Sequence, residues 1–407
     1  MSRVLVLATG ASPSPESVDT SFAPLRAAQL SAGLEPDHDV LVAAASDAEA
    51  AIAETDPDVV VSAGAYAATR AGLAHVGDRP WVVDLPGDPF ADAQACAWAP
   101  GADPASREVV ADEATAVFGA ALTRGDRFLT IGNRSRYSTL GALGAVGRLA
   151  RFAPGHEPID VAPIAWHFPG APEAPAREEG RDVVLFGSFN TWFDGGTLLR
   201  GLLRAMEAAP TITVSVVGGP VPGHHVHTFE TFVADARRSK HVGRFRFLPR
   251  LPTRELLRVI ARARQTVCLD RPGAEPELGS RTRVLFALHQ GLSVIATTRS
   301  ELVADLAHGG WVRGVPPEDA DAVATALLTP DPLPDRAPLR ERYAPEVVTA
   351  SLSRWLRSPR RTAPAPGASV LLTVSRERDA LRAALAELRA SPTFRLLDGA
   401  RRAWTRR

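Results

Sequence analysis

The chain has 407 residues, 46 Lys and Arg against 46 Asp and Glu, and 45% hydrophobic residues. That length suits two domains of roughly 150–200 residues, each burying its own core, and the balanced charge lacks the basic excess of a nucleic-acid binder. Cys96 and Cys268 are the only cysteines, which excludes a disulfide framework or a cysteine-based zinc site, and no apolar run reaches the roughly 18 residues of a membrane span.

The cysteine usage points to a reducing compartment, so a cytoplasmic location is expected. MSRVLVLATG reads as a first strand ending at a Gly turn, not as a signal peptide. Lys240 is the single lysine, so an isolated arginine says little here.

In chain order, apolar runs at 3–9, 40–45, 59–63, 81–85 and 127–131 read as strands, and helical stretches such as 22–32 and 47–54 lie between them. Buried strands spaced by helices mean parallel βαβ units, with ligands at the carboxyl ends of the strands. The Ser- and Pro-rich loop 10–21 leads to a helix bearing Arg26. At 84–89, DLPGDP ends a strand and brings Asp84 and Asp88 to the domain edge, either as a turn with a helix cap or as a base and a hydroxyl ligand.

Composition shifts to Pro, Ala, Glu and Arg between 151 and 182, the mark of a linker. The βαβ rhythm then restarts, with strands at 183–186, 211–217, 245–247, 266–269 and 292–297 and helices at 195–208, 254–263, 282–289, 300–307 and 317–328. The division expected is a Rossmann-like domain 1–165, a linker 166–181, a second Rossmann-like domain 182–335, a helical return 336–357, a linker 358–369 and a basic amphipathic tail 370–407. In that tail Leu381, Leu385 and Leu388 share a helical face, so it suits an anionic membrane, a partner helix, or docking on the body.

Three stretches carry chemistry. GSFNTWFDGG (187–196) follows a buried strand: Gly187 lets backbone approach a ligand, Asp194 is placed to cap a helix, and Asn190 and Trp192 offer an amide and an indole wall. GGPVPGHHVHTFETF (218–232) follows the next strand, and its histidines lack the spacing of a metal site, so hydrogen bonding to a sugar or phosphate suits His224 better. EPELGSRTRVLFALHQGLSVIATT (275–298) runs from acids through Gly279 and Ser280 into a helix flanked by Arg281 and Arg283, where free N–H groups and positive charge suit a diphosphate. A polar first turn of an ordinary αβ unit gives the same letters. Neither the GxGxxG fingerprint nor the GxxxxGK[ST] loop is present.

These stretches, with VVDLPGDPFADAQ and IGNRSRYSTLGAL earlier in the chain, resemble the bacterial GT-B glycosyltransferases of family four, over roughly residues 1 to 356. The resemblance implies an α/β GT-B fold, two Rossmann-like domains facing across a cleft, and retaining, metal-independent transfer of a sugar from a nucleotide sugar to a glycan or glycolipid acceptor, with no cofactor. The second domain would hold the donor through Gly187, Ser188, Asn190, Gly219, Ser280, Arg281, Thr282 and Arg283. Asp88, His224 and Glu277 would serve catalysis, and Arg26 and Asp84 the acceptor. A place at the inner face of the membrane follows from the tail. Two departures stand out: Phe286 occupies the position of an expected ribose-binding acid, and ASPSPESVD lacks the glycine pair of many relatives. A non-catalytic GT-B module binding a sugar nucleotide or a partner is therefore the rival expectation.

Overall fold

The computed structural model describes residues 1–10, 13–17, 22–64, 66–99, 102–176, 182–219 and 227–365, and in the tail 377, 380–381, 383–385, 387–391 and 394. The first domain runs β1 (Arg3–Ala8), α1 (Phe22–Leu34), β2 (Asp39–Ala44), α2 (Ala48–Thr55), β3 (Val59–Ser62), α3 (Tyr66–His75), β4 (Trp81–Leu85), α4 (Pro89–Ala97), α5 (Pro104–Arg124), β5 (Arg127–Thr130), α6 (Asn133–Ala145) and β6 (Ile159–Val161). The second runs β7 (Val183–Ser188), α7 (Gly195–Ala208), β8 (Val214–Gly219), α8 (His227–Arg238), β9 (Phe245–Leu248), α9 (Thr253–Ile260), β10 (Gln265–Cys268), α10 (Ala274–Leu278), α11 (Thr282–His289), β11 (Ser293–Thr297), α12 (Glu301–His308), β12 (Val312–Val315) and α13 (Ala320–Leu328). Helices α14 (Ala337–Arg342) and α15 (Pro345–Leu356) follow.

Each domain holds one six-stranded parallel sheet, ordered β2-β1-β3-β4-β5-β6 and β12-β11-β10-β7-β8-β9. Strands such as VLVL in β1 are apolar on both faces because helices cover both sides, and Val4 to Leu7 are fully buried. The strand order reverses between β1 and β3 and between β7 and β10, and at such switch points the carboxyl ends leave a crevice. Gly218 and Gly219, read as following the strand, instead continue β8 and pair with Gly187 and Ser188.

The stretches expected to be linkers are packed. Ile164, Ala165, Trp166, Phe168 and Ala171 belong to the second domain's core, together with Leu339, Tyr343 and Val348 from the returning chain. Gln290 Nε2 donates to Pro172 O at 2.9 Å, and Arg336 Nη2 to Ala174 O at 2.7 Å. A Pro- and Ala-rich composition looks solvated, but its aromatic residues find apolar partners. Residues 177–181 lie outside the description.

Helix α15 then returns to α1, where a Cβ on Gly33 would lie 2.3 Å from Pro345 O, so only glycine allows the approach. The expected linker 358–369 begins as a strap on the first domain: Thr362 N–H donates to Asp126 Oδ1 at 2.7 Å and Ala365 N–H to Thr123 O at 3.0 Å. Residues 377, 380–381, 383–385 and 387–390 of the tail are helical, and Leu381, Leu385 and Leu388 are exposed. Among the described residues no helix is long and apolar enough to cross a membrane.

Candidate functional site at the strand ends

The carboxyl ends of β7 and β8 are shaped by glycine. Gly187 has φ 85° and Gly218 φ 149°, and a Cβ on Gly218 would lie 2.4 Å from Gly187 O. Any side chain there would part the two strands. A Cβ on Gly219 would meet no described atom within 4 Å. The loop after β7 is held firmly: Asp194 Oδ1 accepts from Thr197 N at 3.0 Å as the cap of α7, Asp194 N–H donates to Leu269 O at 2.9 Å, and Phe189 and Phe193 pack edge to face at 4.6 Å. Within this loop Thr191 is 7% exposed and its hydroxyl has no partner among the described residues. Ser188, Asn190 and Trp192 are half-buried beside it, and no described group hydrogen-bonds to the side chains of Ser188 or Asn190. Thr191 is the residue that the motif reading passed over; its signal was a hydroxyl inside an otherwise aromatic loop.

The two arginines of the third motif part company. Arg281 is buried and donates through Nε to Asp270 Oδ2 at 2.6 Å, through Nη2 and Nη1 to Glu275 Oε2 and Oε1 at 2.8 and 3.2 Å, and through Nη1 to Ser280 O at 3.0 Å. Four of its five N–H groups are thus occupied, and its guanidinium also lies 5.8 Å from the Trp192 ring centroid. Arg281, expected to bind phosphate, neutralises two buried acids. Burial acts to lower its pKa, but Asp270 and Glu275 outweigh it and hold the charge more firmly than usual. Burial pushes the Glu275 carboxyl up to about 7, against the pull of Arg281 and with Asp270 and Asp92 adding repulsion.

Arg283 turns the other way. Its guanidinium lies over Gly187, where a Cβ would come within 3.2 Å of Nε, and Nη2 donates to Ser188 O. Burial lowers its pKa from the ordinary arginine value, with Cys268 and Asp270 opposing, though a guanidinium stays charged. Helix α11 starts at Thr282 with no side-chain cap; Val284 N–H is taken by Arg281 O at 2.8 Å, which leaves those of Thr282 and Arg283 in its first turn. The structure therefore brings together Gly187, Ser188 and Arg283, with Gly219 paired to Ser188 at the next strand end.

On the first domain the two expected acceptor ligands pair with each other. Arg26 and Asp84 have 0% side-chain exposure and bind each other, Arg26 Nη2 at 2.9 Å from Asp84 Oδ1 and Nε at 3.1 Å from Oδ2. The remaining Arg26 donors reach Ala162 O and Pro163 O at 2.8 and 2.9 Å, so the pair ties α1 and β4 to the chain leaving β6. Asp88 caps α4: Oδ1 accepts from Phe90 N and Ala91 N at 3.0 and 2.9 Å, and Oδ2 from the Ser138 hydroxyl. With both oxygens engaged it fits the cap reading. Glu277 is exposed on α10 and pairs with Arg299 at 2.7 Å. His224 lies outside the described residues.

Contacts across the cleft hold the domains face to face. Glu301, at the start of α12, accepts from Asn133 Nδ2 and Arg134 N, each at 2.9 Å, and so sits on the N-terminus of α6. A Cβ on Gly132 would lie 2.8 Å from Glu301 Oε2. Thr253 N and Arg254 N, at the start of α9, donate to Ser17 O and Pro15 O at 3.0 Å each. Helix α10 packs on α4. Phe286 points into aromatic packing, edge to face with Phe168 at 5.1 Å and Phe186 at 5.7 Å. Among the described residues no three His, Cys, Asp or Glu side chains gather as a metal site.

No family model matches the chain, and no curated protein matches it. Solved structures do. AviGT4, a glycosyltransferase involved in avilamycin A biosynthesis, superposes with a TM-score of 0.56 at 13% identity over 89% of this chain and 100% of its own. HepE from Anabaena, solved with UDP and glucose, gives 0.52 at 14% identity over 93% of this chain and 100% of its own. Sucrose-phosphate synthase from Thermosynechococcus elongatus gives 0.50 at 14% identity over 94% and 99%. At such identities the likeness concerns architecture, and the architecture is GT-B.

Proposed function

We propose that this chain is a glycosyltransferase that moves a sugar from a nucleotide sugar to a hydroxyl of a glycan or other glycoconjugate acceptor. The observation that carries this reading is the set at the ends of β7 and β8: backbone opened by Gly187 and Gly218, Arg283 lying over it, and the unpartnered Thr191 hydroxyl beside it. A diphosphate asks for positive charge and N–H donors, which Arg283 and the uncapped start of α11 offer, and a sugar asks for fixed polar groups such as those of Ser188, Asn190 and Thr191. As the glycosidic bond breaks, charge grows on the leaving diphosphate, and donors fixed in advance stabilise it most there. The family resemblance and the GT-B likeness support a donor in the second domain and an acceptor across the cleft. The reading extends to retaining, metal-independent transfer in bacterial surface polysaccharide synthesis, in the cytoplasm or at the inner face of its membrane.

A second reading, a non-catalytic module that binds a sugar nucleotide, is favoured by two observations: Asp88 has both carboxylate oxygens engaged, and Phe286 stands in aromatic packing where the resembled family has an acid. Titration with UDP-, GDP- and TDP-sugars, followed by a hydrolysis and transfer assay on the same panel, separates them. Binding with turnover supports the enzyme. Binding without turnover of any donor supports the module, and no binding at all removes both.

A further inference from the structure

Among the described residues, the tail carries an uncovered apolar stripe. Leu381, Leu385 and Leu388, on helical residues of the tail, are 71, 44 and 55% exposed. Their spacing of four and three residues is the a/d spacing of a heptad, with Leu381 and Leu388 at d and Leu385 at a. In the sequence the same spacing extends upstream through Arg378, Val374 and Leu371.

We propose that this tail segment pairs with the same segment of a second copy as a short parallel coiled coil. Charge selects that occupant. Within the stripe itself, residues 377–390 carry Glu377, Asp379 and Glu387 against Arg378, Arg382 and Arg389, and the tail's basic surplus lies outside it, at Arg376 and beyond Pro392. In heptad terms Glu377 is at g and Arg382, five residues on, at e. Across a parallel dimer those two positions face each other, so each chain's Glu377 meets the other's Arg382 on both flanks of the seam. In the antiparallel arrangement e would face e and g would face g, setting arginine against arginine. Arg378 at an a position limits the assembly to two strands, because a charged side chain reaches solvent from a dimer seam more readily than from a trimer core. Pro392 ends the segment, so the pairing is short and concentration-dependent.

Sedimentation velocity on the full chain over a dilution series tests this. Wild type is expected to shift from dimer to monomer on dilution, and Leu385→Asp to be monomeric throughout with unchanged thermal unfolding, since the stripe lies outside both cores. Glu377→Arg should weaken the dimer, and adding Arg382→Glu should restore it, as only the parallel register predicts. A wild type that is monomeric at every concentration overturns the proposal, as does a dimer that survives Leu385→Asp or a charge swap that fails to rescue. Flotation of monomeric protein with phosphatidylglycerol vesicles, lost in Leu385→Asp, would assign the stripe to a bilayer and overturn it equally.

Discussion

The two strand edges that face the cleft put their polar residues to opposite ends. On the first domain Arg26, Asp84 and Asp88 turn inward, to a fully buried ion pair and a helix cap. On the second, Gly187, Ser188, Thr191 and Arg283 leave open backbone, a cation and unpartnered polar groups at the strand ends. Arg281 belongs in character with the first group although it lies two residues from Arg283, because Asp270 and Glu275 enclose it. A polar residue at a strand end is thus no guide to ligand contact until its own partners are known; a buried ion pair is inert toward ligand, and a buried unpartnered hydroxyl is costly unless something meets it.

The sharpest break between the two kinds comes from removing the enclosed charges. Arg281→Ala would leave Asp270 and Glu275 buried without their cation, and Asp84→Ala would strand Arg26; each should lower stability by about 3–5 kcal/mol. Denaturant unfolding checks this, and an Arg281→Ala protein of unchanged stability but lost nucleotide binding would move Arg281 into the open group. Glu275 adds a pH signature. Its folded pKa of about 7 stands above its ordinary 4.5, so the folded state holds a proton that the unfolded state releases. Its stabilising share is complete below about pH 4.5 and is lost as pH rises through 7, at up to about 1.4 kcal/mol per pH unit. Relative to Glu275→Gln, wild type should therefore lose stability across that window, and a flat difference would mean that Arg281 keeps Glu275 ionised throughout.

Arg283→Ala should do the reverse of Arg281→Ala. Loss of a charge-assisted bond weakens nucleoside diphosphate binding by about 1.5–3 kcal/mol, roughly 10- to 150-fold in Kd, and should leave unfolding nearly unchanged. Calorimetric titration with UDP, GDP and TDP reads the first effect. Thr191→Val sharpens the same side: it removes a buried hydroxyl that has no partner among the described residues, so stability without ligand should hold or rise while donor affinity falls by about 0.5–1.5 kcal/mol. Equal affinity in both proteins would show that the hydroxyl faces no ligand.

Much of the architecture was legible because parallel strands covered on both faces appear as unbroken apolar runs. Strands β6 and β12 were not, since Ile159-Asp160-Val161 and Val312-Arg313-Gly314-Val315 are short and interrupted by charge. Gly187 could be read because the backbone approach it permits needs glycine whatever the partner. Which of Arg281 and Arg283 is enclosed by acids could not: Arg281 precedes α11 while Arg283 lies in its first turn, and the acids that capture Arg281 arrive from the end of β10 and from α10. The Arg26 and Asp84 pair was likewise hidden, being 58 residues apart in the chain and brought together only by the sheet. The linkers misled for a related reason, because composition counts Pro and Ala without asking what Trp166 and Phe168 will touch.

The contact that joins the two edges gives the smallest effect. Glu301 brings a carboxylate from the second domain to the first turn of α6, where two hydrogen bonds and the helix dipole hold it, and those partners lower its pKa although partial burial opposes them. Glu301→Gln keeps the shape and removes the charge, so it should weaken closure by about 0.3–1 kcal/mol, the range for a charge at a partly exposed helix end. Small-angle scattering should then show a modestly larger radius of gyration, more so at low salt, where the wild-type contact is least screened. An unchanged radius would mean that the α9 contacts with Pro15 and Ser17, together with the packing of α10 on α4, suffice to keep the cleft closed.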